Sequence, residues 1–170
     1  MKKLLIFMLA ASILSISTFA QDKAPTRPAD IGESEFDDFK NSSFNVLEES
    51  TKLEANLKHI DKEIKEYSGV LSTVGTDKIK GHYKALTGVK GEVETINSNI
   101  AELDDKGKDM VANASKVTPK MKSIKATSNT KKAVEGLEAS KNNMKSITQM
   151  LQEDMKLLGD ELKSRGEPIE

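Results

Sequence analysis

Apolar residues recur every three or four positions along most of this chain, in three successive tracts. In the first tract the spacing is that of heptad positions a and d, which is typical of a helix that buries one stripe. Ten of its twelve positions are apolar: Phe36, Phe39, Ser43, Val46, Ser50, Leu53, Leu57, Ile60, Ile64, Tyr67, Leu71 and Val74. We therefore expect a long helix from residue 34 to residues 71–74.

The second tract has the same spacing but is offset by one residue from the first. Twelve of its fourteen positions are apolar: Ile79, His82, Leu86, Val89, Val93, Ile96, Ile100, Leu103, Gly107, Met110, Ala114, Val117, Met121 and Ile124. The offset requires a turn or a coiled-coil irregularity near Gly75, and the nearby Gly69 and Asp77 favour a turn. A hairpin is therefore predicted, and a continuous rod that dimerises is the alternative.

The third tract predicts a helix over residues 131–165, which Gly166 and Pro168 end. Seven of its nine seam positions are apolar: Val134, Leu137, Lys141, Met144, Thr148, Leu151, Met155, Leu158 and Leu162. Two places suit the break before it, namely Thr118-Pro119, which resembles a helix start, and the polar stretch 126–130. Because the intervening lysines suit a helix C-terminus, we predict the turn at 126–130 and a kink near Pro119.

These tracts predict an all-α protein, an elongated three-helix antiparallel coiled-coil bundle. Residues 34–165 form the helical coiled-coil domain, and residues 166–170 form a C-terminal tail. Pro25 and Pro28 interrupt any helix before it, so residues 21–33 are expected to be an extended linker.

The N-terminus has the three parts of a secretory signal peptide. Lys2 and Lys3 precede an apolar run over residues 4–16, and the small residues Thr18 and Ala20 mark a cleavage site after residue 20. An uncleaved anchor is disfavoured because the run is shorter than the roughly 20 residues that span a bilayer. We expect an exported bacterial protein, periplasmic or extracellular. The sequence has no Cys, which excludes lipid attachment through cysteine, disulfides and thiol catalysis.

Without Lys2 and Lys3, 24 basic residues stand against 27 acidic ones, a formal charge of −3. This balance does not favour nucleic-acid binding. One stretch is strongly biased, however, because no acidic residue lies between Asp109 and Glu135. The basic residues there form a candidate anion-binding or partner-binding patch, with a solvated helix end as the alternative: Lys116, Lys120, Lys122, Lys125, Lys131 and Lys132.

Candidate chemistry is sparse. His59 and Glu63 share a helix face one turn apart, but a catalytic zinc site normally needs three protein ligands. His82 lies near Ser68, yet no acid is placed by a recognisable motif. We expect no catalytic residues, no cofactor-binding residues and no metal site, and hence no enzyme.

The function predicted from these features is that of an exported non-enzymatic helical interaction protein, a periplasmic or envelope scaffold, spacer or chaperone-like binder. A secreted adhesin or other extracellular factor is the alternative. The outline is similar to that of Skp-type chaperones, small adhesins and helical toxins, but no motif assigns the chain to any of them. After residue 20 no apolar segment is long enough to insert into a membrane. A protein partner is expected, nucleic acid is not, and self-association stays open.

Overall fold

The computed structural model describes residues 25–169, of which 87% are helical. Three long helices follow one another: α1 over Ser34–Tyr67, α2 over Thr76–Asn113 and α3 over Lys120–Ser164. Short 3-10 helices, Ser68–Thr73 and Ala114–Lys116, follow α1 and α2. At 1.5 Å per residue α3 is about 68 Å long, and no strand is present among the described residues.

The helices α1 and α3 run in the same direction. At one end, Lys122 Nζ of α3 lies 2.6 Å from Glu33 Oε1, which immediately precedes α1. Near the middle, Asn143 of α3 donates to Ser50 Oγ of α1 over 3.2 Å. Contacts therefore advance along both helices together.

The helix α2 runs antiparallel to the other two. Asp104, nine residues before the end of α2, meets the middle of α3, where Lys141 Nζ lies 2.8 Å from Asp104 Oδ1. The first turns of α2 meet the chain just after α3, where Lys80 Nζ lies 2.6 Å from Glu167 Oε2. The predicted all-α, three-helix antiparallel bundle is confirmed, and the turn near Gly75 is where the sequence placed it.

The predicted second turn at 126–130 is wrong. The structure turns at residues 117–119, and α3 begins directly after Pro119. Proline lacks an N–H and forces the preceding residue toward extended backbone, so the second helix cannot continue through it. As a result Met121 and Ile124 are exposed at the start of α3, although the heptad spacing of the second tract includes both.

The predicted seam of α3 is correct at five of its nine positions, and Leu162 at its end is one of the five. Leu137, Met144, Leu151 and Leu158 are buried, but the residues between them are each one position earlier than predicted. The buried ones are Ala133, Ser140, Ile147 and Asp154, whereas Val134, Lys141, Thr148 and Met155 are more accessible. Hydropathy alone would bury Val134 rather than Ala133, and Met155 rather than Asp154. In the structure Ala133 and Asp154 are the buried residues of these two pairs, because the packing against α1 places the smaller or more polar side chain inside.

Small residues bring α1 and α3 close together. Ser43, Ser50 and Ser140 are fully buried, and each hydroxyl donates to a carbonyl of its own helix over 2.8–3.0 Å. Each of the three buried hydroxyls therefore has a hydrogen-bond partner, as buried polar groups in proteins usually do. Gly107 has the same role on α2, because a Cβ there would lie 3.1 Å from the ring of Phe39.

Arg165 joins the end of α3 to the connection between α1 and α2. Its guanidinium donates to the carbonyl oxygens of Leu71 and Val74 over 2.6 and 2.7 Å, and to Thr76 Oγ1 over 3.0 Å. Glu161 holds the same group on its own helix at 2.7 Å. The planar fork of donors that arginine alone provides makes this three-way contact.

Residues 25–33 contain no helix and lie against α1 and α3. Arg27 bonds to Asn45 and Glu48 of α1 over 2.7 and 2.8 Å. Asn129 of α3 donates to the carbonyl oxygen of Ala29 over 2.9 Å. We call this segment the N-terminal strap, and it lies along α1 and α3 in the half of the bundle that is opposite the Gly75 turn.

Candidate interaction surface

The structure divides the six lysines predicted as a patch. Lys116 lies on the 3-10 helix after α2 and donates to Asn113 over 2.9 Å. Lys122 points toward the strap, where it pairs with Glu33. The other four are exposed on α3: Lys120, Lys125, Lys131 and Lys132.

These four lysines flank Met121 and Ile124, the two most exposed large apolar side chains of α3. At about 100° of rotation per residue, Met121 and Ile124 lie within about 60° of each other around the helix axis. Lys120 and Lys131 lie on one side of them, and Lys125 and Lys132 lie on the other. We call this outward surface the basic face. It consists of Lys120, Met121, Ile124, Lys125, Lys131 and Lys132, and it extends over about 18 Å of helix.

The basic face points into solvent because the other side of these first turns of α3 is buried. Ala126, Asn129, Thr130 and Ala133 are buried there against the rest of the bundle. The side chain of Met121 is 67% exposed and that of Ile124 is 56% exposed. The packing therefore leaves two large apolar side chains in solvent between two pairs of cations.

Two grooves run between helices. The larger one, of about 640 Å³, lies between α1 and α2 and has Leu53 and Ile96 at its floor. Gly88 and Gly91 form part of its α2 wall, and no atom lies within 4 Å of the Cβ that either would carry. The smaller groove, of about 390 Å³, lies between α2 and α3 and is lined mainly by polar side chains, Lys141 and Thr148 among them. Both are open furrows without a cluster of reactive groups.

Titratable groups gather near the Gly75 turn. Asp154 of α3 is only 4% exposed, and its Oδ2 has no hydrogen-bond partner among the described residues. The buried Tyr67 hydroxyl of α1 has none either. Burial raises the pKa of the Asp154 carboxyl to about 6, with the negative charge of Asp61 adding to the shift and Lys65 opposing it. Burial also raises the pKa of Tyr67, and the charges of Asp154 and Glu63 reinforce that shift.

The two histidines lie on either side of one carboxylate. His59 Nε2 is 3.4 Å from Glu63 Oε1, and His82 Nε2 of α2 is 3.9 Å from Glu63 Oε2. The His82 ring also packs on Tyr67, with 5.7 Å between ring centroids. Within residues 25–169, no group of three or more histidine, cysteine, aspartate or glutamate side chains is arranged to hold a metal ion.

The Asp154 carboxyl makes stability depend on pH. Its pKa is higher in the folded protein than its ordinary value of 3.8, so the folded state retains the proton more strongly than the unfolded state. This group therefore lowers the free energy of unfolding as pH rises from about 4 to about 6. We expect Asp154→Asn to stabilise the protein by about 1–3 kcal/mol near pH 8, and the gain to vanish near pH 4.

Urea denaturation followed by circular dichroism at both pH values measures this difference. Asp160→Asn is the matched control, because Asp160 lies on the same helix, is exposed, and has its pKa lowered by its hydrogen bond to Lys156. A gain for Asp154→Asn that is equally large near pH 4 would contradict the assignment to this carboxyl.

Sequence patterns missed the residues that connect elements. Asp37, Lys40 and Arg165 are held in contacts with the strap or the first turn, and no periodicity marks them. Asp154 was missed because a carboxylate scores as a surface residue in any hydropathy pattern. The lysine bias was the one signal for the basic face, and it could not separate the outward lysines from Lys122.

No helix of the described residues is both long enough and apolar enough to cross a membrane. Comparison with known protein families, with curated proteins and with solved structures finds no match for this chain.

Proposed function

We propose that this protein is an exported, non-enzymatic helical interaction protein that acts in the periplasm or cell envelope as a scaffold, spacer or chaperone-like binder. The observation that carries the proposal is the basic face. Contiguous apolar surface in solvent can mark an interaction site, and here Met121 and Ile124 are exposed on one side of α3 between lysines. The signal-like N-terminus supports export, and the length of α3, about 68 Å, suits a spacer.

Cell fractionation with antibody detection tests the proposal. We expect a processed chain that begins at Gln21 in the periplasmic or envelope fraction, as shown by N-terminal sequencing. Ala20→Arg, which places a large charge at the predicted cleavage site, should leave a longer, unprocessed chain. Recovery of the processed chain in the culture fluid would favour the secreted adhesin or extracellular factor. Recovery of an unprocessed wild-type chain in the cytoplasm would contradict both.

A further inference from the structure

The basic face violates the usual charge preference of a helix start. Helix N-termini favour acidic residues, because the helix dipole is positive there, yet the first turn of α3 has none. Lys120, Lys122 and Lys125 occupy these turns instead, and no side chain caps the helix. Local rules of this kind are broken most often where function requires it. The dipole and the lysines together make this surface attractive to anions.

Most carboxylates at this end of the bundle lie outside the basic face, and the exception is the exposed Glu135, one helical turn after Lys131 on the same side of α3. Glu33 pairs with Lys122, which is outside the face. Asp37 accepts bonds from the strap backbone. The exposed Glu35 and Asp38 are on α1, whereas the basic face points away from the side of α3 that packs on the bundle. No carboxylate lies within 4 Å of Lys120, Lys125, Lys131 or Lys132 among the described residues.

We propose that the basic face docks this protein onto an anionic membrane surface, with Met121 and Ile124 entering the headgroup region and the four lysines contacting lipid phosphates. The inference names a partner for the proposed interaction protein, and in that sense it rests on the proposed function. In this arrangement the first turns of α3 are the part of the bundle that contacts the membrane. The Gly75 turn is at the opposite end of the bundle, far from the basic face.

The shape and composition of the face favour a lipid surface over other anions. A soluble polyanion would be bound by the four lysines alone, and contact with the two apolar side chains between them would not strengthen that binding. A protein partner usually fits a groove or a flat patch, whereas this surface is the convex side of one helix. Amphipathic helices that lie in membrane interfaces have this arrangement, with apolar side chains directed into the lipid and lysines on the flanks. Lysine stems also reach along apolar surface while the charge stays in water.

Charge is expected to provide most of the binding. A lysine near an anionic leaflet strengthens binding by roughly fivefold, and the effect falls off within a Debye length. The whole exported chain has a formal charge of −3 after removal of Lys2 and Lys3, so any attraction to anionic lipid must come from a local surface. Binding should therefore be strongly salt-dependent and should orient the bundle.

Vesicle sedimentation tests the proposal on the chain without residues 1–20, because an apolar signal would bind lipid by itself. Removal of residues 1–20 leaves every contact described above in place, because all of these contacts are within residues 25–169. We expect the protein to sediment with vesicles of equimolar phosphatidylcholine and phosphatidylglycerol, to stay in solution with phosphatidylcholine alone, and to be released by high salt. This result is independent of fractionation, so failure of the docking proposal and failure of the export proposal are distinguishable.

Two matched pairs of variants identify the surface. The four lysines of the basic face changed to Gln should weaken binding by at least about tenfold. The same charge change at four exposed lysines elsewhere should alter binding by less than about twofold: Lys62, Lys84, Lys90 and Lys106. Met121→Gln with Ile124→Gln should weaken binding by several-fold, while Val70→Gln with Leu157→Gln, at the other end of the bundle, should not. Circular dichroism confirms that each variant is folded.

Three results would overturn the proposal. The first is no sedimentation of the wild-type chain with the anionic vesicles. The second is an equal loss in both four-lysine variants, which would assign binding to overall charge. The third is unchanged binding when Met121 and Ile124 are replaced, which would mean that the lysines bind the anionic surface without entry of these side chains into the headgroup region.

Discussion

Leu158→Asp is expected to unfold the protein, whereas Leu157→Asp leaves it folded. The two leucines are neighbours on α3, but Leu158 is fully buried in the main core and Leu157 is 36% exposed. Loss of a buried leucine side chain costs about 2–5 kcal/mol, and an unpaired buried carboxylate adds several more. That sum is comparable with the total stability of a domain, about 5–15 kcal/mol.

Urea denaturation followed by circular dichroism measures both variants. At Leu157 the new carboxylate stays in water, so we expect a change of at most about 1 kcal/mol. Because the residue type, helix and substitution are the same, the comparison isolates burial. Similar destabilisation of the two variants would show that the described face of α3 is not the one that packs in solution.

Asp37→Ala is expected to cost about 2–4 kcal/mol, whereas Asp38→Ala costs less than about 0.5 kcal/mol. The buried carboxylate of Asp37 accepts hydrogen bonds from the backbone N–H groups of Ile31, Gly32 and Glu33 over 2.8–3.2 Å. It also lies 3.9 Å from the fully buried ammonium of Lys40. Hydrogen bonds to a charged acceptor are among the stronger ones, and their loss leaves three partly buried donors without this partner.

Hydrogen exchange separates this effect from a general loss of stability. Asp37→Ala should release the N-terminal strap, so the amides of Ile31 and Gly32 should exchange faster than the core amides of the same variant. Asp38 is exposed and provides the matched control one residue away. Unchanged exchange in the strap of Asp37→Ala would mean that this carboxylate does not hold the segment.

The sequence by itself determined the helical fold and most of its first half. Every predicted seam position of α1 from Phe36 to Leu57 is buried, because apolar spacing within one helix defines the side that must leave water. Gly75 marked the first turn for a similarly local reason. Patterns of this kind need no knowledge of the partner, since hydropathy and backbone preference are properties of the segment itself.

The tertiary structure alone decided how wide the covered side of each helix is, and which neighbours of the predicted seam of α3 are buried. A helix that contacts two neighbours buries a wider face than a coiled-coil seam, so Lys40, Phe44 and Leu47 of α1 are buried beyond the predicted positions. On α3 the close approach to α1 selected small or polar residues such as Ser140, which hydropathy assigns to solvent.

The candidate site shows the same division. Composition identified the lysine-rich stretch, because the absence of carboxylates is visible without any structure. Met121 and Ile124 are outside the core because the chain turns at Pro119. The helix that begins after this turn is rotated about its own axis relative to α2, so the apolar stripe of the second tract does not continue to face the core. Periodicity specifies which residues share a face of a helix, and the packing of the other helices determines whether that face is buried or left in water.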